Sequence, residues 1–321
     1  DDVSIGKLLT TLGIPMTLGK RYDLIDDGML GRFAEHDEYR RSVIAEGHYH
    51  YRVKGWSREN DAAAFAALYT AIYAHRTTLV TFFFNLTTAK YNSALARPVD
   101  YYMTHARGVL STDAPMVIFC DKDTRPEIEK VRNECCPGNE TRYIERAIDD
   151  YDHFKYNLDI IADNRARGPP YSDPRNTPAY FLTVLFKIIA LRIAKQANFF
   201  PSTHYAWVDF GAAHVCRRVA EHLPQIAATP HPKVSLGYIH YRSPAEIADM
   251  KSYLAIGHPC SVGSGLITVE QSYMDILYTR YMSIFYEMLA NGVGHNEEAI
   301  FTYLYSRFPD MFRITYADYY S

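Results

Sequence analysis

At 321 residues the chain is long enough for one large domain or two. Its 48% hydrophobic and 22% charged content excludes a disordered or fibrous protein. A formal net charge of -3 provides no broad basic field, so nucleic acid is not an expected partner. The five cysteines, Cys120, Cys135, Cys136, Cys216 and Cys260, form no CxxC pair, which argues against structural zinc and thioredoxin-like redox chemistry. No run reaches the roughly 18 uncharged apolar residues of a membrane helix. The most apolar C-terminal stretch is interrupted by Glu270, Asp275, Arg280 and Glu287, and a cytoplasmic location is the expectation. The sequence begins at Asp1 without methionine, which leaves a preceding segment open.

Residues 1–76 are expected to form an N-terminal helical extension, with helix-like stretches around Leu24 to Glu46 and Asp61 to His75. In the second, Asp61 stands as N-cap and His75 and Arg76 close the C-terminal end. Between them GHYHYRVKGW alternates aromatic and polar residues, as a strand or extended arm does. From Thr77 the pattern changes to short β-rich runs separated by helices, the signature of an α/β fold with a largely parallel sheet over 77–321. TTLVTFFFNL predicts the first strand, ending at Asn85 of an NLT sequon, and PMVIFCD the second. RPEIEKVRNE then begins a helix with proline near its start, and TRYIERAI is the third strand. From Pro178 to about Ala197, PAYFLTVLFKIIALRIAKQA has apolar residues at helical spacing with lysine and arginine late in the run. After the break NFFPSTH, YAWVDFGAAH is a short strand ending in Asp209 and Gly211, and KVSLGYIHYR is another. CSVGSGLI reads as a glycine-rich loop leading into a long helix through Tyr273 and Leu289. GHNEEAIFTYLYSRFPDMF supplies a turn and the last helix.

Ligands of open α/β sheets lie at the carboxyl ends of the strands, where Asp121 of VIFCD and Asp209 of WVDFG both fall. A carboxylate there can hold a divalent cation that offsets a diphosphate; the plainer reading is a turn-forming aspartate. Lys187 interrupts an apolar helix face, so it either snorkels to solvent or meets an anion. Gly263, Ser264 and Gly265 allow close backbone approach to a ligand, or merely a turn. Glu297 and Glu298 open a helix, where the dipole favours acids without any catalytic duty. His295 before them is a metal ligand or a capping residue, and His214 and His240 read as structural.

In this order the elements resemble the HtrL/YibB-type family of glycosyltransferase-like proteins. That pattern runs from a first strand through a PMVIF-like strand with aspartate, a lysine-bearing helix, an NPF-like break and W-I-D-x-G to a late acidic motif before PDLF. The corresponding segments here are TTLVTFFFNLTT, PMVIFCD, FLTVLFKIIAL, NFFPSTHYAWVDFG and GHNEEAIFTYLYSRFPDMF, from about Thr77 to Tyr319. The resemblance implies a GT-A-like fold, with a mixed, mainly parallel sheet flanked by helices. It also implies transfer of a sugar from a nucleotide-sugar donor to a glycan or lipid-linked acceptor. By position it implies donor contacts at Asp121, Lys187, Asp209, Gly211, Gly263, Ser264 and Gly265. A divalent cation, Mn2+ or Mg2+, is expected on Asp209 and His295, and a catalytic carboxylate at Glu297 or Glu298, Glu297 being favoured as the base. The chain departs from the usual D-x-D, since Asp209 is followed by Phe210 and Gly211. That departure keeps two other functions in play: a carbohydrate-binding or scaffolding domain without catalysis, and nucleotidyl transfer.

Overall fold

The structure is a computed structural model describing residues 23–25, 51–53, 77–92, 97–168, 176–200, 202–254 and 261–316. The chain divides into two compact units, Asp1–Ala74 and His75–Ser321. In the first, Asp23–Ile25 and Tyr51–Val53 pair as a two-stranded parallel ladder. Leu24 and Ile25 therefore stand in a strand and not in the expected helix. The rest of that helix, the helix expected over 61–75 and the flanks of Tyr51–Val53 lie outside the described residues.

The second unit is built on a seven-stranded sheet. Its strands are β1 (Thr77–Phe83), β2 (Met116–Cys120), β3 (Thr141–Glu145), β4 (His204–Val208), β5 (Val234–Tyr238), β6 (Val262–Glu270) and β7 (Phe312–Tyr316), in the order β3-β2-β1-β4-β6-β5-β7. The pairs β1–β2, β2–β3, β1–β4 and β5–β7 are parallel, and only β6 runs against its neighbours β4 and β5. This is the expected mixed, mainly parallel sheet flanked by helices. The chain leaves β1 towards β2 and β3, then returns to add β4 on the other side of β1. That reversal makes the carboxyl ends of β1 and β4 the switch point of the sheet, the place at which open α/β sheets bind ligands.

Helices cover both faces because the parallel strands are apolar on both sides. Along β1, Leu79 packs on one side and Val80 on the other, as the two-residue strand period requires. Beneath Leu79, Ile118, Ala206 and Val208 lie α1 (Val99–Leu110), α2 (Arg125–Cys135) and α6 (Val219–Ala228). Against Val80, Phe119 and Trp207 lie α3 (Asp152–Arg167), α4 (Pro178–Leu185), α5 (Lys187–Ala197), α7 (Met274–Ala290) and α8 (Glu297–Arg307).

The single helix expected from Pro178 to Ala197 is α4 and α5 meeting at Phe186. Thr177 caps α4, with Pro178 in its first turn, and Asn198 ends α5 in the left-handed conformation at φ 44°. Ile188, Ala190 and Leu191 on α5 are fully buried, each of the large ones contributing about 1.5–3 kcal/mol of transfer free energy. The expected glycine-rich loop is the first half of β6, and the residues after Met311 add the edge strand β7 beyond the last helix. No helix among the described residues is long and apolar enough to cross a membrane.

A candidate active site around Asp209

The strand β4 sets the site by its period. Trp207 and Asp209 are two residues apart and project to the same face, so the indole Nε1 donates to Asp209 Oδ1 at 2.7 Å. Trp207 itself is 1% exposed, which anchors the donor. Lys187, at the start of α5, packs on that face with its Nζ 2.7 Å from Asp209 Oδ1 and 2.7 Å from Glu297 Oε1. The same ammonium lies 3.2 Å from both the carbonyl oxygen and the Oγ of Ser264, and over the Trp207 ring at 5.5 Å. Ser264 Oγ in turn donates to Glu297 Oε1 at 2.7 Å. Burial alone would favour neutral lysine, but the carboxylates of Asp209 and Glu297 outweigh it. They hold the Lys187 pKa well above the ordinary lysine value, so the charge persists with 3% of the side chain exposed.

Asp209 differs from its two partners in facing outward, with 40% of its side chain exposed. Its Oδ1 answers to Lys187 and Trp207, while Oδ2 takes no hydrogen bond from the described residues and faces Gly265. A side chain at 265 would place its Cβ 3.6 Å from that oxygen, so the absence of one keeps Oδ2 accessible. At Gly263 a Cβ would stand 2.8 Å from Ile239 Cδ1, where β5 and β6 shift register between Leu236 and Gly237. Gly263 thus serves close approach inside a strand, the other reason for glycine besides a turn, whereas a Cβ at 265 would meet only ordinary contact distances. The outcome is a carboxylate at the end of β4, held through Oδ1 by Trp207 and Lys187 and exposed on its Oδ2 side at the sheet's switch point.

Residues 75–321 match the family described as "Bacterial protein of unknown function (HtrL_YibB)". The chain belongs to this family. Protein HtrL of Escherichia coli (strain K12) is 23% identical over 278 residues, 75% of this chain and 87% of that protein. Among solved structures, mouse xyloside xylosyltransferase 1 in its apo form is similar at a TM-score of 0.39 and 11% identity, over 74% of this chain and 84% of that one. Core-mannan synthase A from Aspergillus fumigatus, in an Mn/GDP form, is similar at a TM-score of 0.41 and 10% identity, over 74% and 72% of the two chains.

In this HtrL_YibB member only some of the expected site residues come together. Lys187, Asp209, Ser264, Glu297 and Glu298 meet, Glu298 accepting the Ser264 N–H at 3.3 Å through Oε1. Of the two acids Glu297 is the buried one and Glu298 is half-buried. Lys187 does not snorkel: of its two expected courses it takes the anion, and the anions it meets here are the protein's own carboxylates of Asp209 and Glu297. Asp121 is engaged by the chain itself, its Oδ2 accepting from the Asn85 N–H at 2.7 Å and its Oδ1 from the N–H and Oγ of Thr124, both at 2.8 Å. It ties the ends of β1 and β2 together. Gly211 is buried against Tyr102. His295 is 4% exposed, with its ring stacked 5.7 Å from Phe181 and its Nδ1 2.8 Å from Asn296 Oδ1, whose side chain caps α8.

The divalent ion expected on Asp209 and His295 is not matched by this donor set. No three His, Cys, Asp or Glu side chains among the described residues are grouped to hold a metal. The second carboxylate near Asp209, that of Glu297, already shares an ammonium with it. Two contributors escaped the sequence. Tyr180 stands on α4, seven residues before Lys187 at the start of α5, and the break at Phe186 hid their pairing from the helical spacing. Burial of its hydroxyl, with the negative field of Glu297, pushes its pKa well above the ordinary phenol value. The indole of Trp207 had its signal in the W-x-D spacing, once the segment is read as a strand.

Proposed function

We propose that the chain is a nucleotide-sugar-dependent glycosyltransferase whose donor lies at the carboxyl ends of β1 and β4. The observation that carries this reading is Asp209, a carboxylate fixed on one oxygen by Trp207 and Lys187 and presenting the other at that switch point. Asp209 Oδ2 accepts hydrogen bonds from hydroxyls of the donor sugar and so orients its anomeric carbon, the positioning that enzymes use to make a reaction effectively unimolecular. Glu298 takes the role of base. It is the half-buried member of the acidic pair, its Oε1 accepting from the Ser264 N–H, and Glu297 is the buried one against Lys187. In the transfer the acceptor hydroxyl oxygen forms a bond to the anomeric carbon as the bond from that carbon to the diphosphate oxygen breaks. The electron pair leaves with the diphosphate, and the hydroxyl proton passes to Glu298. No step is assigned to a divalent ion, because the donor set described above does not match one.

A panel of nucleotide sugars, with calorimetry for binding and product analysis for turnover, tests the reading. Release of a nucleoside diphosphate from one of them, lost at least about a hundredfold in a folded Asp209→Ala, is the expected result. Release of pyrophosphate would make the chain a nucleotidyltransferase, and binding of free glycan without any nucleotide would make it a carbohydrate-binding domain.

A further inference from the structure

The surroundings of Lys187 Nζ are those of a cation site. Four oxygens face one point: Asp209 Oδ1 and Glu297 Oε1 at 2.7 Å, and the carbonyl and hydroxyl oxygens of Ser264 at 3.2 Å. Two carboxylates, a carbonyl and a hydroxyl make a set of hard oxygen donors such as Mg2+, Ca2+ and Mn2+ take. They come from the end of β4, the start of α8 and the strand β6, so the set exists only in the folded unit. An ammonium has three N–H groups for these four oxygens, so it fills the shell with donors to nearly every one. The oxygens stand farther from the nitrogen than the roughly 2.0–2.2 Å of a Mg2+ or Zn2+ bond to oxygen, so an ion in the same place would draw them in.

We propose that Lys187 is the built-in cation of this site: its ammonium occupies the place of a divalent ion between Asp209 and Glu297, and the donor is bound without one. Resting on the glycosyltransferase reading for what the site binds, the inference makes Lys187 a positioning residue. It holds Asp209 Oδ1 so that Oδ2 meets the donor, and it offsets one of the two negative charges beside a diphosphate. The absent second aspartate of D-x-D is then accounted for, since a cation supplied by the chain needs no extra carboxylate to recruit it.

The test uses the full chain, with Mn2+ alone as the first probe. Wild type is expected to bind no Mn2+ in the micromolar range by electron paramagnetic resonance and to show no rise in Tm with the ion. Lys187→Met vacates the shell and is expected to acquire one Mn2+ per chain, at least about tenfold tighter than wild type, with a rise in Tm. Adding Asp209→Asn removes both effects. A folded Lys187→Met that gains no Mn2+ site overturns the inference, as does a wild type whose stoichiometric Mn2+ binding disappears in Asp209→Asn.

Should Lys187→Met fail to fold with or without the ion, the wild-type measurements still decide. The nucleoside diphosphate or nucleotide sugar that binds wild type should do so within about twofold in the presence of EDTA, and a loss of binding in the chelator overturns the inference. Failure of the underlying functional reading looks different. No nucleotide would bind under any condition, while the Mn2+ result for Lys187→Met would stand by itself.

Discussion

Lys187 keeps its charge at 3% side-chain exposure because two carboxylates lie within 2.7 Å of it, and removing one partner of such a buried group leaves the others uncompensated. Lys187→Met preserves the apolar stem and deletes the ammonium. We expect it to lower stability by about 3–5 kcal/mol in urea unfolding, the scale for breaking a buried pair. A loss below about 1 kcal/mol, typical of an exposed pair, would show that these contacts do not form in solution. The two acids of α8 separate by the same logic, since adjacent helix residues diverge by about 100°. Glu298→Gln should reduce turnover by about 10² to 10⁴ with donor affinity little changed, as loss of a general base does. Glu297→Gln should act first on stability, because it removes a counter-charge from Lys187. A variant pair with the reverse pattern, measured as kcat and unfolding midpoint, would assign the base to Glu297.

At the scale of elements, β6 makes the site possible by running against its neighbours. Its first half carries Gly263, Ser264 and Gly265 past the end of β4, and the Asp209 N–H donates to the Gly265 carbonyl at 2.8 Å. The two glycines predict different phenotypes. Gly263→Val pushes a side chain against the terminal methyl of Ile239, whose Cδ1 is 2.8 Å from the position of a Cβ and can turn aside, and should cost about 1 kcal/mol, the low end for overpacked cores. Gly265→Val meets only ordinary contact distances, so the fold should hold while the branched side chain covers Asp209 Oδ2. Donor affinity should then fall at least about tenfold, the scale of losing a hydrogen bond to a charged group. Thermal melts and calorimetry on the two variants separate the effects, and a Gly265→Val with native donor affinity would place the donor elsewhere.

For the whole second unit, acid sensitivity has an identifiable source in His153 on α3. The imidazole is buried 4.9 Å from the Phe285 ring of α7, and burial pushes its pKa down from 6.5 to about 4. The folded state therefore holds the neutral ring, while the unfolded chain binds a proton already near pH 6.5. The contribution is whole above that pH and is lost as pH falls towards 4, by roughly 2–3 kcal/mol between pH 7.5 and 4.5 at about 1.4 kcal/mol per pH unit. Denaturant unfolding at both pH values should show this loss in wild type and its absence in His153→Leu. An equal loss in both chains would move the acid sensitivity to other groups.

Periodicity and strand-end chemistry in the sequence determined the α/β class, the sheet strands from Thr77 to Tyr238 and the strand-end position of Asp209, because a buried parallel strand and its terminal carboxylate are local patterns. The direction of β6 was not legible: glycine inside a strand and glycine in a loop have the same composition, and only pairing with β4 and β5 tells them apart. The difference between Asp121 and Asp209, both strand-end aspartates, was hidden for a related reason. Which donors reach a carboxylate depends on Asn85 and Thr124 in one case and on Lys187 and Trp207 in the other. The fate of Lys187 was the least local of all. Its ammonium is held by residues 22 and 110 positions away along the chain, and a helix sequence records that a lysine sits on an apolar face without recording what that face meets.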